Sequence, residues 1–536
     1  MSLPLWIFKS PVKALSAYRS KQQEASSVHS SPAHAVQSFQ SLQSLPIAGL
    51  ALLLSVGGFV GTSRPAQAQR PEFCHLPTHE VQQKQQLLVA GLRGDERSME
   101  QYEDMVDRHA EFLKDCRQQN WPQNQAIWVR LYPCDARPGV MEQLFDMMVN
   151  KGYNRVYVEV FGAGQVLLPQ ADNPTVWPSV VRSPGYENQD LLAEAIAKGR
   201  ERGMKVYAWM FSMNFGHSYL QRSGSPQILA RNGQGQSSLD YSRQLSINGG
   251  EVNHEEVFID PYNAQARTDY YTLVQSVLRR NPDGMLFDYI RYPRGSGADS
   301  VADRVDDLWI YGSSAQQAFL QRAQNRSGQD IIRRFLQRGY LTNQDVVEVA
   351  SLHPGEPQPL WQSLEPTSSY GAATADQRRV YLQQNLWRLA IAHAFQGVVD
   401  FLNTAAAPVQ SHGIPAGAVF FPEGNQFVGQ TGIDSRVQPW DRFPRSMEWH
   451  PMSYATCGGT GCIVSQIQRV VEQATNPGQV KPVLAGDWGE RMNNRPALEA
   501  QMLAIRQAAP QIRTVSHFAF SWQEPEYDRQ RKFCEL

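Results

Sequence analysis

The stretch Pro282-Asp283-Gly284-Met285-Leu286-Phe287-Asp288-Tyr289-Ile290-Arg291-Tyr292-Pro293 decides the reading of the fold. Gly284 and Pro293 punctuate it, and Met285 to Asp288 reads as a short apolar strand that stops at a charge. A strand with no polar alternation has both faces covered, which is the condition of a parallel sheet wrapped by helices. In a parallel α/β barrel the carboxyl ends of the strands carry the chemistry, so this run delivers a carboxylate, an arginine and two tyrosines to the mouth. Asp288 is therefore the candidate centre of an active site.

Working outward, the same strand-then-helix order repeats. Ile127–Tyr132 precedes a helix over Val140–Lys151, Arg155–Phe161 one over Asp190–Arg202, and Lys205–Met210 a long connection and a helix over Ala264–Arg280. Gly284–Ile290 leads to Ala375–Thr404, Gly417–Phe421 to a weaker helix or loop, and Ser446–Ser453 to Val464–Ala474. Lys481–Ala485 with Pro496–Ala509, then Ser516–Trp522, complete eight strands. That order predicts a (β/α)8 TIM barrel over residues 125–536. An open doubly wound sheet tolerates the same periodicity, but no GxGxxG turn follows the first strand to suggest a dinucleotide site. Residues 69–124 read as an N-terminal helical extension. Residues 295–370 read as a helical insertion after the fourth strand, with amphipathic segments at Asp303–Ala323 and Gln329–Gly339 and a further helix start at Leu341–Asp345; insertions there sit over the mouth as a lid or cleft wall.

Fifty Lys and Arg against 51 Asp and Glu leave a net charge of −1, with no dense basic block, so nothing points to a nucleic-acid partner. The first 68 residues read as a signal peptide: a long leader with Lys9, Lys13, Arg19 and Lys21, an uncharged core from Leu45 to Val60, and Ala66-Gln67-Ala68 as a cleavage site. Cleavage after Ala68 gives a secreted or periplasmic protein with no stable membrane span; the rival reading keeps the segment as an anchor. All six cysteines lie beyond that site, and an even count in an exported chain favours disulfides. Connectivity is open beyond Cys457–Cys462, whose intervening glycines let a small loop close. No second close cysteine pair or histidine cluster completes a zinc site, and the histidines lack HExxH spacing, so neither a metal nor a cofactor is expected.

Alternation inside the strands sorts the faces. Trp128, Arg130 and Tyr132, or Tyr157 and Glu159, share one face, while Val156, Val158 and Val160 share the other. Large polar and aromatic groups then converge on one mouth, where an extended polar substrate can stack and hydrogen-bond.

Phe258-Ile259-Asp260-Pro261, followed by a helix and the quoted stretch Asp283 to Pro293, resembles the paired motif of bacterial glycosyl-hydrolase-like barrels, the family 10 glycosylhydrolase group that includes DUF187 and DUF4015. The resemblance spans roughly Gln125 to Glu524, with Ile127-Trp128-Val129-Arg130, Trp449-His450-Pro451-Met452-Ser453-Tyr454 and Phe518-Ala519-Phe520-Ser521-Trp522 matching by order of elements. It implies a TIM barrel and glycan hydrolysis. Many of these proteins carry a second acid immediately after the one matching Asp288; here that position is Tyr289, which puts a mechanism with two adjacent aspartates in doubt.

Glycoside hydrolysis needs two carboxyl groups, one ionised and one holding a proton for the leaving oxygen. Asp288 is the candidate ionised member, nucleophile or base, with Arg291 beside it to steady its charge or orient a hydroxyl. Glu423, at the end of the next strand, is the preferred acid; Glu159, facing inward on an apolar strand, is the second. Glu448, Asp487 and Glu524 also fall at strand ends, and Asp487 and Glu524 join the substrate-binding candidates. Trp209, Trp488 and Trp522 are candidate sugar platforms. Asn214, Asp260, Tyr292 and Tyr454 are candidate polar contacts, and His450 a candidate transition-state donor. The expected protein is an exported glycoside hydrolase acting on an envelope or extracellular polysaccharide, with peptidoglycan glycan strands among the candidates. The competing class is a noncatalytic carbohydrate-binding envelope protein on the same scaffold; a third is a barrel amidase or deacetylase.

Overall fold

Eight parallel strands follow one another round a ring: β1 Asn124–Val129, β2 Arg155–Gly162, β3 Lys205–Phe211, β4 Gly284–Asp288, β5 Ala416–Phe420, β6 Glu448–Pro451, β7 Val483–Ala485 and β8 Thr514–Phe518. Each pairs with its successor from β1 to β6, and β8 pairs with both β7 and β1. Between β6 and β7 the ring is drawn together by the bridges Trp449–Val480 and Met452–Val483, with Lys481 N donating to Trp449 O at 2.7 Å. The computed structural model describes residues 73–221, 225–247 and 256–536. The architecture is the TIM barrel that the strand–helix order predicts. The leader and its cleavage site lie outside the described residues.

The barrel is filled, and the filling explains its sequence. Strand β4 is buried at every residue. Inside the ring the Trp128 ring lies 4.9 Å from both Tyr157 and Trp209 and 6.3 Å from Phe518, so residues of four strands interlock as a layer of aromatic rings. The Trp128 indole donates to Ser516 Oγ at 3.1 Å, so the buried donor is satisfied. Nearer the amino ends of the strands, Glu448 pairs with Lys481 and lies 3.3 Å from His450 Nε2, while Arg155 Nη1 donates to Tyr207 Oη at 3.4 Å. These charges close the floor of the barrel.

Helices Val140–Asn150, Leu191–Glu201, Ala264–Leu278, Ala375–Ser411, Thr460–Gln473 and Leu498–Ala508 form the outer layer. Their starts are written in the sequence: Asp190 and Asn263 each accept from the backbone N three residues on, and Thr374 forms a capping box with Gln377. The helix expected to stop at Thr404 runs on to Ser411, because three alanines continue it and Pro408 falls in the last turn, where its missing N–H removes one bond.

Before β1, helices Thr78–Leu92 and Glu96–Gln119 follow one another, the second capped by Asp95. A disulfide joins Cys74 to Cys116, and Tyr102 Oη donates to Asp146 Oδ2 at 2.9 Å, tying this extension to the first outer helix. After β4 the insertion contributes three helices, Ser313–Leu320, Arg326–Arg338 and Asn343–Leu352. The remaining disulfides are Cys457–Cys462, the pairing expected from the glycines, and Cys134–Cys534, which fixes the C-terminal helix Pro525–Lys532 to the loop after β1.

Candidate active site

The mouth is built from the carboxyl ends of β1 to β4 and β8. Asp288 closes β4 and is 9% exposed. Its Oδ2 accepts from Trp209 Nε1 at 3.1 Å and its Oδ1 from the backbone N of Tyr289 at 2.6 Å. Burial pushes its carboxyl up to about 6, partly offset by those two hydrogen bonds and by the guanidinium groups of Arg291 and Arg130. Asp288 is thus a buried carboxyl group raised well above the ordinary carboxylate range.

Tyr289 follows in the left-handed region, with φ at +54°, a conformation that costs a non-glycine residue energy and occurs where the surroundings impose it. The turn lays its ring 4.3 Å from Phe211 and sets the Arg291 guanidinium 4.6 Å above it. Arg291 also lies over Phe258 at 5.4 Å and Phe421 at 5.9 Å, and donates through Nη1 to Tyr292 O at 2.9 Å.

Glu159 sits on β2 in register with Trp209 on β3, and its Oε2 is 2.9 Å from Nε of Arg130, the residue after β1. The Arg130 guanidinium in turn lies 5.6 Å from the Trp209 ring. Gly162 leaves room for this carboxylate, since a Cβ there would come within 2.6 Å of Glu159 Oε1. Through Trp209, Glu159 is in register with Leu286 on β4, so Asp288 stands two strands across and two residues further toward the carboxyl end. Both carboxylates act on the Tyr289 phenol, whose ionisation burial pushes up, and Arg130 acts on Asp288; the four groups share one electrostatic neighbourhood.

Tyr454 and Trp522 complete the wall. Tyr454 lies 6.4 Å from Phe518, and burial raises its phenol, with Asp288 adding to the effect. Trp522 stands edge-on to Phe518 at 5.3 Å, with Arg495 over its ring at 5.5 Å. Trp209, Arg291, Tyr454, Trp522 and Glu159 are therefore gathered around Asp288.

The other sequence candidates have partners of their own. Glu423 accepts from Gln466 Nε2 at 2.6 Å, in a turn that Arg469 also clamps to the helix Thr460–Gln473. Trp488 donates to Tyr153 Oη at 3.0 Å and packs on Phe73 and His517, while Asp487 accepts from the Trp488 backbone. Glu524 pairs with Lys151 at 2.5 Å, and His450 belongs to the charged floor. Asn214 Oδ1 accepts from Val257 N at 2.9 Å and joins two loops. Asp260 accepts from Tyr262 N at 2.9 Å and from Ala315 N at 2.8 Å, so it anchors the first insertion helix; burial pushes its carboxyl up to about 6. Tyr292 is fully buried. Arg130, Tyr289, Phe211, Phe518 and Arg495 were not among the candidates; inward alternation on β1 marked Arg130, and nothing in the sequence marked Tyr289 as left-handed.

Among the described residues no cluster of three His, Cys, Asp or Glu side chains is disposed to hold a metal ion, and no helix is long and apolar enough to cross a membrane.

No family model matches the chain, and no curated protein matches it. Among solved structures it is similar to the PgaB (BpsB) glycoside hydrolase domain from Bordetella bronchiseptica, at 14% identity and a TM-score of 0.43, covering 76% of this chain and 98% of that one. It is also similar to a GH18 chitinase from Pseudoalteromonas aurantia, at 9% identity and a TM-score of 0.33 over 76% of this chain and 98% of that one. A GH20 exo-β-N-acetylglucosaminidase from Vibrio harveyi is similar at 8% identity and a TM-score of 0.36, over 76% of this chain and 55% of that one. Similarity this distant leaves the reading of function to the chain's own residues.

Proposed function

We propose that the protein is a glycoside hydrolase in which Asp288 and Glu159 are the two catalytic carboxyl groups. The observation that carries this is the contrast in their surroundings: Asp288 is buried against Trp209 with its carboxyl up at about 6, whereas Glu159 is ion-paired to Arg130 at 2.9 Å. One buried carboxyl and one ion-paired carboxylate are the contrast that an acid and a base of a glycosidase require. The sequence alone favoured Asp288 as the ionised member; its burial favours the opposite role, and Asp288 is assigned the proton donor. It protonates the glycosidic oxygen as the bond to the anomeric carbon breaks, and Glu159, ion-paired to Arg130, activates water or attacks that carbon from the other face. Water supplies the new hydroxyl and restores both groups. Trp209, expected from the sequence as a platform, is instead 2% exposed and packed among Trp128, Phe211 and Phe518, so its part is the hydrogen bond to Asp288, and Tyr454 and Trp522 are the rings offered to the sugar.

Three disulfides support an oxidising compartment, where the leader expected from the sequence would deliver the protein, and an envelope or extracellular polysaccharide is the substrate class reached from there. The test is direct. The purified protein incubated with bacterial envelope and extracellular polysaccharides should generate reducing ends, and D288N and E159Q should each abolish them while glycan binding persists. Glycan binding with no turnover in the wild type would instead identify a carbohydrate-binding protein, and release of ammonia, amine or acetate without reducing ends an amidase or deacetylase.

A further inference from the structure

Among the described residues, two guanidinium groups at the mouth have no carboxylate in ion-pair contact. Arg291 is 7% exposed, and among the described residues its side chain donates to the Tyr292 carbonyl and lies over the rings of Tyr289, Phe258 and Phe421. Arg495 lies on the Trp522 ring, and its buried Nε has no hydrogen-bond partner. Both reach the catalytic neighbourhood: Arg291 acts on Asp288, and Arg495 acts on Tyr454, which itself feels Asp288. By contrast Arg436, also over Phe421 at 4.4 Å, is neutralised by two bonds to Asp434 at 2.7 and 2.6 Å. A buried cation left without a counter-charge is costly to keep, and a planar guanidinium stacked on rings presents its free edge to a carboxylate in a fixed orientation.

Resting on the glycosidase reading above, we propose that the substrate is an acidic glycan, and that Arg291 and Arg495 receive its sugar carboxylates. A neutral polysaccharide would leave both guanidinium groups unpaired after the site had shed its water, whereas a chain bearing a carboxylate at intervals pairs them as it binds. Such an attraction adds to the stacking on Trp522 and fades with ionic strength where the pair stays in contact with solvent.

Binding separates this inference from the catalytic reading. Tetramers of β-1,4-glucuronate and α-1,4-galacturonate, and the same oligomers with their carboxyl groups reduced to alcohols, are titrated calorimetrically into the full chain carrying D288N. At least one uronate should bind tenfold or more tightly than its reduced counterpart, and the margin should shrink in 0.5 M salt. R495Q, at a half-exposed position, and R291K, which keeps the charge but not the fork, should each remove most of that margin, with unchanged melting temperature confirming that the variants are folded. Equal binding of acidic and reduced forms, no binding of either uronate, or variants that retain the full preference would overturn the proposal. Wild-type hydrolysis of neutral oligomers with no acidic preference defeats this inference alone; acid-selective binding with no hydrolysis by the wild type defeats the catalytic reading alone.

Discussion

The indole Nε1 of Trp209 donates to Oδ2 of Asp288 at 3.1 Å, across from β3 to β4, and this bond opposes the burial that raises the Asp288 carboxyl. The hydrogen bond stabilises the carboxylate, so it holds the group lower than burial alone would. Trp209→Phe keeps a ring at the same place and removes the donor. Asp288 should then hold its proton to higher pH, and the basic limb of the kcat/KM profile, which reports loss of the general acid, should move upward. A rate–pH profile of the variant checks this; an unmoved or downward-shifted limb counts against Asp288 as the acid.

The two glutamates ranked by the sequence are separated by their partners. Glu159 faces Arg130 at the mouth, whereas Glu423 is bonded to Gln466 at the outer helix. Glu159→Gln should lower kcat by about 10²–10⁴, the range that a positioned acid–base group supplies. Glu423→Gln should leave kcat within a few-fold and cost about 1 kcal/mol of stability, the net worth of one hydrogen bond. Steady-state kinetics with a denaturant titration of both variants decides between them, and the reverse ranking would reinstate Glu423.

Asp288 also leaves a signature in stability. Its carboxyl is up at about 6 in the fold against an ordinary 3.8, so between those values the native state binds the proton that the unfolded state has released. The unfolded chain then holds fewer protons, and this group's contribution to stability is full below pH 4 and is lost as pH rises through 6. In Asp288→Asn that dependence vanishes. The stability of the variant relative to wild type should therefore improve by ~1–3 kcal/mol from pH 4 to pH 7. Because the quantity is a difference, the buried histidines, whose titration is common to both proteins, drop out. Urea unfolding at a series of pH values measures it, and a flat difference would show that Asp288 titrates as an exposed carboxylate does.

How far the chain could be read without coordinates follows from which interactions are local. The barrel strands were legible because burial on both faces writes a short apolar run, as in Met285-Leu286-Phe287, and the helices because Asp190, Asn263 and Thr374 cap them within four residues. Asp288 stands out in the sequence because a charge at the end of a buried run has few structural reasons to be there. The candidates at other strand ends share its pattern but are absorbed by partners far away in sequence: Glu524 by Lys151, Trp488 by Tyr153, Glu423 by Gln466. Position relative to a strand end predicts height in the barrel and does not predict whether a side chain turns inward to the axis or outward to the helices. Tyr289 shows the converse: its left-handed backbone, which aims both its ring and its N–H, is carried by a residue type that gives no sign of it.

The two disulfides outside the N-terminal extension predict very different costs. Cys134–Cys534 joins residues 400 apart and fastens the C-terminal helix, where Arg531 is fully buried against Asp135 at 2.6 Å, to the loop after β1. Cys457–Cys462 joins residues five apart in a loop at the start of the helix Thr460–Gln473. A cross-link restricts the unfolded chain more the longer the loop it closes, so C134S/C534S should cost ~2–5 kcal/mol and C457S/C462S about 2 kcal/mol or less. The C-terminal helix also supplies Asp528, which accepts from Tyr132 Oη at 2.9 Å in the loop that follows β1 and Arg130. Freeing that helix should therefore loosen the segment carrying Arg130, and C134S/C534S should lose activity at temperatures well below its unfolding midpoint, whereas C457S/C462S should lose both together. Parallel activity and unfolding curves for the two variants measure this, and coincident losses in C134S/C534S would show that the bridge supports the fold without reaching the site.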